Sequence, residues 1–157
     1  MTRLRGRAPR GERLHASAPS GRWETTTMIS SVRLDGSTAC MAIGCATNTE
    51  VFRAYVSKVL LPTLRQGDVV IMDNLGAHRY AQTLELITNA GASVLFLPPY
   101  SADLNPIEMM WSKLKATLRK LEARDEESLF KAIGKALAKV SSNDAIGWGN
   151  HCGYTVI

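Results

Sequence analysis

Val69-Val70-Ile71-Met72-Asp73 and Val94-Leu95-Phe96-Leu97-Pro98-Pro99 are the two stretches that decide the fold. Each is an unbroken apolar run without the polar alternation of a half-exposed strand. Each is therefore expected to be a strand buried on both faces, the habit of parallel sheets. Between them, residues from about Arg79 to Ala90 suit a helix, and Gly91 stops it. Strand, helix, strand over this length reads as a right-handed parallel crossover.

Upstream, Trp23 to Leu34 is rich in Thr, Ile and Val and suits a strand, with Ser37 to Ala46 returning as its partner. Asp35-Gly36 between them is a two-residue hairpin signal. Thr47 and Glu50 have the spacing of a capping box at a helix start, and that helix ends or kinks near Pro62. Downstream, Ile107, Met110, Trp111, Leu114, Leu118 and Leu121 fall within about 100° of arc at the helical period, which predicts a helix from Pro106 to about Leu121. Residues 125 to 140 form a further amphipathic segment, and residues 142–157 read as a Gly-containing tail. The division expected is a basic extended arm over residues 1–22, one α/β domain over 23–141, and the tail.

The 157 residues are 45% hydrophobic, enough for one domain with a core, and carry a formal charge of +5. That sign favours an acidic partner, nucleic acid first. Arg3, Arg5, Arg7, Arg10, Arg13 and Arg22 precede the first strand with Glu12 alone opposing them, and Lys113, Lys115, Arg119 and Lys120 share one predicted helix. Solvated surface is the ordinary reading of such runs; phosphate contact is the functional one. Cys40, Cys45 and Cys152 lack metal-ligand spacing and read as reduced thiols. No apolar stretch approaches membrane-spanning length, and the Arg-rich start lacks the apolar segment of a signal peptide. A cytoplasmic protein is expected, nucleoid-associated when bound to DNA.

Two carboxylates stand out. Asp73 ends the first apolar strand, where functional groups gather in open α/β sheets; its bland partner would be a backbone amide of the following turn. Glu108 is the third residue of the helix that Asn105 and Pro106 open, where a capping-box Glu belongs without any catalytic role. They lie 35 positions apart, and the intervening helix and strand return the chain to the same sheet edge. Converging carboxylates repel unless a cation lies between them, and hard ions such as Mg²⁺ accept such oxygen ligands. Near them, His78 and Asn74 could hold or orient Asp73 or only close the turn, and Tyr100 could cover the site or pack the loop.

Met72-Asp73-Asn74-Leu75-Gly76-Ala77-His78 and Leu97-Pro98-Pro99-Tyr100-Ser101-Ala102-Asp103-Leu104-Asn105-Pro106-Ile107-Glu108 closely resemble the second and third acidic motifs of DDE transposases, in the insertion-sequence branch of the mariner superfamily. Arg7-Ala8-Pro9-Arg10-Gly11-Glu12-Arg13-Leu14 and the strand near Trp23 also look like that family. The resemblance implies a ribonuclease-H-like α/β fold, a mixed sheet flanked by helices. It implies metal-dependent DNA cleavage at element ends and strand transfer, with Asp73 and Glu108 as catalytic, metal-binding carboxylates and Asn74 and His78 in support. The cofactor implied is Mg²⁺ or Mn²⁺, two ions in the complete site. Double-stranded DNA, both element ends and target, is the implied partner, met by Arg3, Arg5, Arg7, Arg10, Arg13, Lys115 and Arg119, with a homodimer of the chain as a second partnership and no membrane.

The family pattern also has a first Asp on a strand ahead of the Arg-rich segment. Before residue 68 the sequence holds Asp35 alone, at the expected hairpin tip, on the order of 30 Å from Asp73 along a ten-residue strand. The expectation is an N-terminally truncated catalytic domain, lacking its first strand and inactive as these 157 residues. The alternative is a non-catalytic DNA-binding or dimerising remnant. A receiver-like signalling domain would need early acidic residues and a Lys after Leu97, where Pro98 stands instead.

Overall fold

The computed structural model describes residues 6–15 and 25–154. Arg3, Arg5, Arg22 and the start of the first expected strand at Trp23 lie outside the described residues. Residues 6–15 are exposed throughout and form neither strand nor helix, only a turn in which the Glu12 amide donates to the Pro9 carbonyl at 3.1 Å.

Strands β1 (Thr27–Val32) and β2 (Thr38–Ile43) pair antiparallel, Val32 opposite Thr38. The loop between them differs from the two-residue expectation. The Arg33 amide donates to the Ser37 carbonyl, and the Gly36 amide to the Arg33 carbonyl, both at 2.9 Å. Leu34, Asp35 and Gly36 thus form a three-residue loop whose Gly36 takes the left-handed conformation (φ 84°). Asp35 stabilises it by accepting the Ser37 amide at 2.8 Å. A β-carbon on Gly36 would lie 2.5 Å from the Ser141 backbone, so glycine is required twice over, by conformation and by space.

Helix α1 (Thr49–Tyr55) is capped by Asn48 rather than Thr47: the Asn48 side chain accepts the Val51 amide at 2.9 Å. Asn outranks Thr at this position. The helix widens into a π turn (Val56–Leu60) and tightens into a 3₁₀ turn (Leu61–Thr63). Pro62, which has no amide hydrogen to donate, lies in the tight turn, as its chemistry demands.

Strands β3 (Val69–Met72) and β4 (Ser93–Phe96) pair in parallel, Met72 opposite Phe96, joined through a 3₁₀ turn (Gly76–Arg79) and helix α2 (Ala81–Asn89). A further 3₁₀ turn (Ala102–Leu104) leads into α3 (Pro106–Leu121), followed by α4 (Glu126–Leu137) and α5 (Ser142–His151). The last is a correction: the segment expected to be a tail is largely helical. Its start is a capping box between Ser141 and Asp144, and Lys113 of α3 reaches Asp144 at 2.5 Å. No helix among the described residues is long and apolar enough to cross a membrane.

Alternation along the hairpin builds two cores. Ile29 and Met41 face Phe52, Tyr55, Val56 and Leu60, a cluster that also takes Met72 and Ile87. Met28, Val32 and Ala42, on the opposite face, pack against Met110, Leu114 and Leu118 of α3 and Ile133 of α4. Fully burying each such aliphatic chain contributes about 1.5–3 kcal/mol. The α3 stripe is as the period predicts, except that Leu121 at its end is exposed.

Two findings depart from the expected sheet. Among the described residues its strands form two separate two-stranded ladders, not one mixed sheet. The parallel pair is also covered on one face only: Val70, Met72, Val94 and Phe96 pack inward, while Val69 and Leu95 are 57% and 50% exposed. Helix α3 packs on the hairpin, not on these strands. What ties the two ladders at one end is ionic. Arg33, just past β1, donates two hydrogen bonds to Asp68, just before β3, at 2.7 and 2.8 Å. That guanidinium, with the Arg65 amide, holds the Asp68 carboxyl down at about 2.

Candidate active site

The carboxyl end of the parallel pair is fixed by the backbone. The Leu97 amide donates to the Met72 carbonyl at 2.9 Å, so the ladder closes just where Asp73 leaves it and Pro98-Pro99 prevents its continuation. Asp73 Oδ1 accepts the Leu75 amide at 3.2 Å, the turn-closing bond that an Asp supplies in any case. The same oxygen lies 2.6 Å from His78 Nδ1.

That second contact is ion-pair close yet poorly aligned, and His78 Nδ1 has no hydrogen bond of proper geometry. The His78 ring stacks on Phe52 of α1, centroids 4.2 Å apart and planes inclined by 40°. It is thereby fixed between the core and Asp73, with its side chain 18% exposed against 57% for the carboxylate.

Glu108 reaches the site from α3. The expected capping box does not form: Asn105 makes no side-chain capping bond, and the local contact is the Glu108 amide to the Asn105 carbonyl at 3.1 Å. The capping role offered for this carboxylate is therefore not what holds it. It stands exposed in the first turn of a helix, whose N-terminal amides favour negative charge.

Asp73, Asn74 and Glu108 line one open cleft of about 540 Å³, together with Arg79, Asn105 and Tyr100. Asn74 Oδ1 is buried without a hydrogen-bond partner. Two carboxylates and an unpartnered amide oxygen are hard donors of the kind Mg²⁺ accepts, and Mg²⁺ is commonly held by one or two carboxylates while keeping several waters. Among the described residues no group of three or more His, Cys, Asp or Glu side chains gathers as a metal-ligand set.

The basic residues are placed less centrally. Arg7, Arg10 and Arg13 are exposed on the irregular arm, Lys115 is exposed on α3 and Arg119 is half-buried. None of these lines the cleft. Lys113 pairs with Asp144, whose carboxyl that ammonium and the Ser141 hydroxyl hold at about 2. Asp35 is at the hairpin tip, where it accepts the Ser37 amide, and it does not line the cleft either.

Two cleft features escape the motif reading. Arg79 brings a cation to the cleft, its guanidinium 5.7 Å over the Phe96 ring; its position directly after His78 was the available signal. The segment after α5 also supports the site, since the Tyr154 hydroxyl donates to the Leu104 carbonyl at 2.8 Å.

A family model for DDE superfamily endonuclease matches residues 1–130. The chain belongs to that family, which acts on DNA by breaking phosphodiester bonds. No curated protein matches the chain.

Proposed function

We propose that this chain is the catalytic domain of a DNA transposase of the insertion-sequence branch of the mariner superfamily, with Asp73 and Glu108 as metal-binding carboxylates. The observation that carries this reading is the opening of both carboxylates into one cleft at the end of a parallel strand pair. Mg²⁺ or Mn²⁺ held there would polarise a phosphodiester and lower the pKa of bound water. The chain's own part is positional. His78, braced on Phe52, holds Asp73; Asn74 offers its unpartnered oxygen; Glu108 closes the other side.

A Mn²⁺ titration followed by nuclear magnetic resonance tests the site. Resonances of Asp73, Asn74 and Glu108 should broaden first, and Asp73→Asn should abolish the effect. Broadening that begins elsewhere, or survives that change, removes the assignment.

The arm residues Arg3, Arg5, Arg7, Arg10 and Arg13, with Lys115 and Arg119, would meet the DNA backbone without reading sequence. Binding should then fall steeply with salt, because each neutralised phosphate releases counterions. Changing Arg7, Arg10 and Arg13 to Ala should flatten the logarithmic salt slope by about 2–3 and weaken unrelated duplexes equally. A salt-independent affinity, or a loss confined to one sequence, contradicts this arm-to-phosphate contact.

The ribonuclease-H-like sheet stays part of this proposal: one further strand would lie between β1 and β3, each of which has an edge bonded to no other strand among the described residues. The same observation, with two carboxylates instead of three, supports a second reading. These 157 residues would then be a non-catalytic DNA-binding or dimerising unit until that strand is supplied. A cytoplasmic site of action goes with the proposed role as a DNA enzyme.

A further inference from the structure

Tyr100 is the large apolar side chain least accounted for by packing. Its relative exposure is 106%, so the ring rests on nothing. Its backbone is left-handed, with φ at 60°, a conformation that strains any residue with a β-carbon. Among the described residues Glu122 is the other non-glycine in this region, and it has a structural reason: it ends α3, its amide returning to the Leu118 carbonyl. Tyr100 ends no helix. Five glycines take positive φ elsewhere among the described residues, and here the sequence places a tyrosine.

The loop that presents the ring is anchored. Pro98 and Pro99 restrict the chain before it. Beyond it the Leu104 amide donates to the Ser101 carbonyl at 3.1 Å, and Tyr154 holds Leu104. The ring is thus projected from a held base into the rim of the cleft that Asp73, Glu108 and Arg79 line. A flat apolar ring beside a cation and two carboxylates has one natural complement in DNA, the π-face of a base, with the adjoining phosphate within reach of a cation. In an intact duplex those faces are already stacked on one another. A base can meet Tyr100 only where it is unpaired or has been turned out of the helix.

We infer that Tyr100 is a stacking platform for an unpaired base of DNA held beside the two carboxylates, which makes it a positioning residue that selects frayed or flipped nucleotides over continuous duplex. This rests on the transposase reading above. The measurement is fluorescence anisotropy of the 157-residue chain with two duplexes of one sequence, one fully paired and one with three unpaired nucleotides at a 3′ end. The wild-type chain should prefer the unpaired end. Tyr100→Ala should lower affinity for that DNA about tenfold and leave the fully paired duplex within twofold. Tyr100→Phe and Tyr100→Trp should keep the preference, since they keep a ring. Tyr100→Gly should lose the preference while holding or raising the thermal midpoint, because it releases the backbone strain. A lower midpoint for Tyr100→Gly would show that the ring packs on the fold and overturn the inference. Wild-type binding without preference, or equal loss on both duplexes in Tyr100→Ala, overturns it as well but leaves the transposase reading standing. A wild-type chain that binds neither DNA overturns both.

Discussion

Purified as 157 residues, the chain should leave supercoiled DNA uncut in Mg²⁺, and should nick it at least about a hundredfold faster once a strand bearing a third carboxylate is supplied. Among the described residues Asp73 and Glu108 are the acidic side chains that line the cleft, and no group of three or more His, Cys, Asp or Glu gathers there as a ligand set. Two carboxylates can hold one hydrated ion; fixing two ions at a set separation takes more ligands. An ion that wanders displaces the attacking water, and displacements of about 1 Å can cost a hundredfold in rate. The proposed place for the strand is between the two ladders. β1 and β3 each have an edge bonded to no other strand among the described residues, and the Arg33–Asp68 pair ties the two ladders at one end. Fusing an acidic strand from another member of the family ahead of Arg3 is the direct test. Mg²⁺-dependent nicking by the 157-residue chain itself would remove the need for that strand.

The parts of this fold that could be read from sequence are those where one periodicity dominates. Val69–Met72 and Val94–Leu97 announced a parallel pair, and the stripe from Ile107 to Leu118 announced α3, because apolar spacing directly reports which face is buried. The sheet as a whole was less legible. Whether two ladders join is a property of what lies between them, and no residue within either strand encodes it. The same holds for Val69 and Leu95: their apolarity predicts a cover that α3 supplies to the hairpin instead.

Helix α5 was hidden by composition. Gly147 and Gly149 each weaken a helix by roughly 1 kcal/mol against Ala, and that argument pointed to a tail. Tertiary context won. The Ser141–Asp144 box, the Lys113 contact and the burial of Ala145 fix the segment in place. The Ser-x-x-Asp spacing was the signal that a capping search would have caught.

At the site, residue type and spacing pointed to Asp73 and Glu108, and the fold brings both to the lining of one cleft. They did not carry Tyr100. Its backbone conformation and its full exposure are properties of the folded loop, and a tyrosine after two prolines reads equally well as packing. Nor did spacing reveal that Asp73 is braced through His78 by an aromatic of α1, a contact between residues 26 positions apart in sequence.

In the chain completed with a third carboxylate, Asp73→Ala and Glu108→Ala should each lower Mg²⁺-dependent nicking by about a thousandfold. A bound metal ion contributes several kcal/mol of charge stabilisation, and about 1.4 kcal/mol corresponds to each factor of ten in rate. The isosteric changes Asp73→Asn and Glu108→Gln should do nearly as much harm, because they keep the shape and remove the charge. His78→Ala should cost less, about tenfold to a hundredfold, as expected of a group that orients a ligand without being one. Asp35→Ala is the internal control. That carboxylate closes the hairpin loop through the Ser37 amide and does not line the cleft, so nicking should stay within about twofold of the parent. Throughout the series, duplex affinity at fixed salt should be unchanged, since the phosphate-binding arm is untouched and binding precedes chemistry. More than a tenth of the parental rate surviving in Asp73→Ala would place the reacting phosphate somewhere other than this cleft.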